Sequence, residues 1–90
     1  ILFIMRILEL KNLFREEGYI YYRRNFSGEA VIEVPGTTLN APIDFCIETD
    51  PLGVRSIELS VASNVNYPLL PLKKALAAYI LEEDKEGRLP

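Results

Sequence analysis

Ninety residues, 49% of them hydrophobic and 26% charged, make one small domain and leave room for nothing more. The chain has no histidine and one cysteine, which excludes the ordinary Ser-His-Asp and Cys-His nucleophile arrangements, an internal disulfide, and a zinc site built from those residues. A net charge of −3 argues against a whole-surface footprint for nucleic acid, and no apolar run approaches the ~20 residues that span a bilayer.

The chain opens on the greasy run Ile1-Leu2-Phe3-Ile4-Met5, which Arg6 cuts short without a signal-peptide cleavage site. The first residue is not methionine, and Met5-Arg6 reads as a candidate translational start, with residues 1–4 then belonging to something upstream. Phe3, Ile7, Leu10 and Phe14 recur at helical spacing ahead of Glu16-Glu17 and Gly18, which predicts a helix over residues 7–17 with residues 1–5 extended. The competing reading is a strand buried on both faces, with Lys11-Asn12 as a turn.

From Tyr19 the pattern becomes strand-like. Residues 19–26 are rich in aromatics, which suit a pleated surface, and Ser27-Gly28 reads as a turn into a second strand over residues 29–34. Pro35-Gly36 stops that strand, and residues 37–42 read as a connection. In the second hairpin Ile43, Phe45 and Ile47 alternate with Asp44, Cys46 and Glu48, and Ile57, Leu59 and Val61 alternate with Ser56, Glu58 and Ser60. Between them, Asp50-Pro51-Leu52-Gly53 carries the residues a type I turn favours.

Residues 64–71 lead into a C-terminal helix, where Asn64 and Asn66 are candidate caps and Pro71 suits the first turn. Leu72, Leu76, Tyr79 and Ile80 form its apolar stripe, Gly87 is its stop, and residues 85–90 read as frayed. The fold class is α+β: a four-stranded antiparallel sheet of two hairpins, the C-terminal helix on one face, and an N-terminal helix beside it.

Four features are candidates for function. Tyr19, Tyr21, Arg23 and Arg24 interleave rings and cations on one strand, a pattern that stacks bases and holds phosphates in single-strand binders. Asp44, Glu48 and Glu58 share the polar face of the second hairpin, where carboxylates could serve a hard cation or acid–base work. Cys46 stands on the same face with no histidine to activate it. Phe3, Leu10 and Phe14, with the tyrosines, supply more apolar area than one helix on one sheet face absorbs, and such a surplus marks a protein interface. The first expectation is a non-enzymatic interaction or assembly module, self-associating or bound to a protein partner, in the cytoplasm and without a cofactor. The alternative is single-stranded nucleic-acid binding.

Overall fold

The computed structural model describes residues 5–18, 22–62 and 68–90. Four strands, β1 (Arg6–Glu16), β2 (Arg23–Val34), β3 (Thr37–Thr49) and β4 (Arg55–Val61), precede one helix, α1 (Leu69–Lys85). The sheet order is β1-β2-β3-β4 with every neighbour antiparallel, so the chain runs as a meander. The α+β architecture with a C-terminal helix on one sheet face is as expected. Two of its boundaries are not.

The N-terminal segment is a strand rather than a helix. Ile7 stands opposite Ile32 and Leu10 opposite Ala30, so three residues of β1 are matched to two of β2. A second register shift lies between Lys11 and Phe14, where Asn12 takes φ 53°. Asparagine tolerates that left-handed conformation because its short polar side chain bonds locally. Here Asn12 Nδ2 donates to Glu29 Oε1 at 3.3 Å. Each bulge adds a residue, so the core-facing side chains Ile7, Leu10 and Leu13 fall three apart instead of two. Two bulges thus imitate the spacing of a helix.

The first predicted hairpin is also redrawn. Ser27-Gly28 is not a turn but the middle of β2, and residues 37–42 are the first half of β3, paired with β2 from Val34↔Thr37 onward. Gly28 is there for close approach: a Cβ at that position would meet Leu13 Cδ1 at 2.9 Å and Leu13 Cα at 3.0 Å. The β2–β3 turn is Pro35-Gly36, with Gly36 at φ 84°. Pro42 is tolerated in a central strand because it lies beyond the end of β4. Its carbonyl still accepts from Ala62 N–H at 3.1 Å, and its missing N–H forfeits no bond inside the β4 ladder.

The core lies between the sheet and α1. Phe26, Ala30 and Ile32 of β2, Ala41, Ile43, Phe45 and Ile47 of β3, and Leu72, Leu76 and Ile80 of α1 are all buried. Phe26 and Phe45, directly opposite in register, stack with ring centroids 4.9 Å apart. The backbone of α1 comes closest to the two edge strands, β4 and β1, so the sheet curls around the helix. Tyr79 flanks the buried stripe instead of completing it. The predicted asparagine caps, Asn64 and Asn66, lie outside the described residues, and the N-cap position is Pro68.

The C-terminal tail is held where fraying is expected. Gly87 takes φ 73°, its N–H donates to Asp84 O at 3.0 Å, and Arg88 N–H donates to Glu83 O at 2.9 Å. These are the two bonds of a Schellman cap. The Arg88 guanidinium pairs with the Glu83 carboxylate, and Leu89 returns to pack against the core.

Candidate interaction surface

β2 is extended, so consecutive side chains leave on opposite faces of the sheet. Arg23 and Arg24 therefore do not act together. Arg24 turns to the helix side and grips Asp84 through both carboxylate oxygens, Nη1 to Oδ1 at 2.7 Å and Nη2 to Oδ2 at 2.9 Å. Arg55 of β4 adds Nε to Asp84 Oδ2 at 2.9 Å. Asp84 lies in the last helical turn, where the helix dipole disfavours an anion. Two arginines from two strands offset that, and the Asp84 side chain is only 6% exposed. The Arg24 hydrogen bonds, ahead of the opposing effect of burial, hold the Asp84 carboxyl below the usual carboxylate range.

Arg23 faces the outer side. Its Nε donates to Cys46 Sγ at 3.4 Å and lies 3.4 Å from Glu48 Oε2. Cys46, foremost, and then Glu48 and Glu58 push the Arg23 guanidinium up from its ordinary value. Cys46 is buried beneath this arrangement despite standing on the polar face. Tyr19 and Tyr21 lie outside the described residues.

The acidic residues share the outer face without converging. Ser56, Glu58 and Ser60 stand opposite Glu48, Cys46 and Asp44 respectively. Ser27 Oγ lies 2.6 Å from Asp44 Oδ1 and 2.8 Å from Glu16 Oε1, so its single proton serves one carboxylate at a time. Among the described residues, no three His, Cys, Asp or Glu side chains come close enough to hold a metal ion. The outer face offers a shallow polar depression lined by Glu16, Arg23, Asn25, Asp44, Cys46, Glu58 and Ser60, among others.

The expected apolar surface is divided. Phe3 lies outside the described residues; Leu10 is half-buried against the core; Phe14, across from Ser27 on the outer face, is 55% exposed. A larger exposure, unforeseen in the sequence, sits on the β3–β4 turn, where Leu52 is 89% and Val54 61% exposed. That turn is braced by its own aspartate. Asp50 Oδ1 accepts from Leu52 N–H and Val54 N–H, each at 2.9 Å, and Asp50 O accepts from Gly53 N–H at 2.9 Å. Leu70, at the start of α1, is 68% exposed. The signal for Leu52 was its apolar type at a turn tip, masked by how completely Asp, Pro and Gly account for the turn.

A family model covers residues 2–85, the whole of the sheet and the helix. The chain belongs to the BB-0187 family. No curated protein and no solved structure matches it. In this member of the family no helix of the described residues is long and apolar enough to cross a membrane.

Proposed function

We propose that this chain is a small non-enzymatic interaction module that associates with itself, working in the cytoplasm. One observation carries the reading: a single helix covers a single face of the sheet and leaves Leu52, Val54, Leu70 and Phe14 at the surface. Apolar groups in such number on so small a domain favour burial against another chain. The Asp50 brace adds to this, because a turn held rigid loses little conformational freedom when its leucine is buried. One free cysteine, packed under Arg23, suits a reducing compartment.

Nucleic-acid binding along β2 draws less support, because Arg24 is committed to Asp84 and Arg23 to Cys46 and Glu48. Solution mass by light scattering, at several concentrations and two salt levels, separates the readings when nucleic-acid content is followed by absorbance ratio. A salt-insensitive dimer is the expected result. A monomer at every concentration, with no protein partner in pull-downs, overturns it. A monomer that copurifies with nucleic acid and sheds it at high salt selects the alternative.

A further inference from the structure

β4 is the last strand of the sheet, and among the described residues nothing pairs with its outer side. Two hydrogen bonds fix which of its backbone groups look outward. Ala62 N–H donates to Pro42 O at 3.1 Å, and Asp50 N–H donates to Val54 O at 2.9 Å. Both belong to the register that sets Asp44 against Ser60 and Cys46 against Glu58. Bonded pairs alternate along an antiparallel ladder. Ser56, Glu58 and Ser60 therefore turn their N–H and C=O groups toward β3, while Arg55, Ile57, Leu59 and Val61 turn theirs to the free edge. No register shift interrupts the series, so free groups recur every second residue, about 7 Å apart.

The opposite edge is built differently. β1 carries two register shifts, a left-handed Asn12, and the cations Lys11 and Arg15. Bulges and charges are the devices by which proteins blunt an edge against further pairing. Only β4 is left as a regular template.

We infer that β4 pairs with β4 of a second copy of this chain, antiparallel across a two-fold axis at Leu59; this rests on the self-association proposed above. Outward groups must meet outward groups, which also keeps Ile57, Leu59 and Val61 of both copies on the helix side. Axes at Ile57, Glu58 or Leu59 satisfy that condition. An axis at Glu58 sets two like carboxylates directly opposite, which is destabilising. An axis at Ile57 sets the charged Arg55 against apolar Leu59. The Leu59 axis matches Ile57 with Val61, Leu59 with itself, and Glu58 with Ser60, whose hydroxyl can donate to the carboxylate. It forms roughly six backbone hydrogen bonds.

Residue-resolved amide hydrogen exchange on the unmodified protein, at high concentration and after dilution, tests this. The amides of Ile57, Leu59 and Val61 are expected to exchange about tenfold or more slowly at high concentration, with Arg55 and the β1 edge exchanging freely. A dimer in which those three amides exchange freely overturns the β4 pairing and leaves self-association standing. Protection that extends to Arg55 overturns the Leu59 axis. A monomeric mass at every concentration overturns self-association itself, and the pairing with it. A second measurement reads the register directly. Glu58→Cys and Ser60→Cys, each with Cys46→Ala, form an interchain disulfide when mixed and none alone; a disulfide from Glu58→Cys alone overturns the assignment.

Discussion

Asp84→Asn is the substitution that interrogates this fold most directly. It keeps the shape of the side chain, removes the charge, and leaves the Arg24 and Arg55 guanidinium groups facing a neutral amide. Hydrogen bonds to a charged group contribute about 1.5–3 kcal/mol, which applies to the well-shielded Arg24 fork. The half-exposed Arg55 is screened by water and adds at most about 1 kcal/mol. The expected loss is therefore about 2–4 kcal/mol, or roughly 10–25 °C in Tm for a domain of this size. Urea and thermal denaturation at one fixed protein concentration measure it. The pH dependence has a definite sign. Arg24 depresses the folded-state pKa of Asp84, so its contribution is present above the unfolded value of about 4 and is lost as pH falls through the folded value. The gap between the variant and the parent should hold near neutrality and close only in acid. A variant within about 0.5 kcal/mol of the parent at pH 7 would refute the reasoning.

Gly28→Ala drives a methyl group into Leu13 Cα and should cost about 1–3 kcal/mol of overpacking, read as a lower urea midpoint with unchanged slope. Asn12→Val places a β-branched residue at φ 53° and should cost about 1–2 kcal/mol, whereas Asn12→Gly should be nearly neutral by the same assay. Leu76→Ala empties a fully buried site between helix and sheet and should cost about 2–5 kcal/mol. Leu52→Ser should leave monomer stability within about 0.5 kcal/mol by thermal denaturation, because the side chain is almost wholly in solvent.

What could be read from the sequence followed from how local its cause was. The β3–β4 hairpin was legible because strict alternation and the Asp-Pro-Leu-Gly turn are both encoded by adjacent residues. The helix was legible for the same reason, through Leu72, Leu76 and Ile80. β1 was not, because each of its bulges shifts the core-facing residues from spacing two to spacing three, and only the partner strand shows that it is a strand. Ser27-Gly28 carries a turn signature that a neighbour, Leu13, converts into a packing requirement. Pro42 reads as a strand breaker until β4 is seen to stop short of it. At the surface, strand alternation correctly puts Arg23 and Arg24 on opposite faces. Their partners, Cys46 and Asp84, lie 23 and 60 residues away and leave no local trace.

The meander has a kinetic consequence. Every strand pairs with its neighbour in sequence, so no strand waits for a distant segment to arrive. The β2–β3 hairpin, closed by Pro35-Gly36, is the one unit both edge strands need before they can dock, and it supplies most of the sheet's share of the core. It is therefore the expected nucleus. Substitution at Gly36 should slow folding, while loss of the Arg55 contact should chiefly hasten unfolding. A chain that zips from its centre outward completes β4 late, and its regular edge becomes available to another molecule only once the rest of the sheet is already closed.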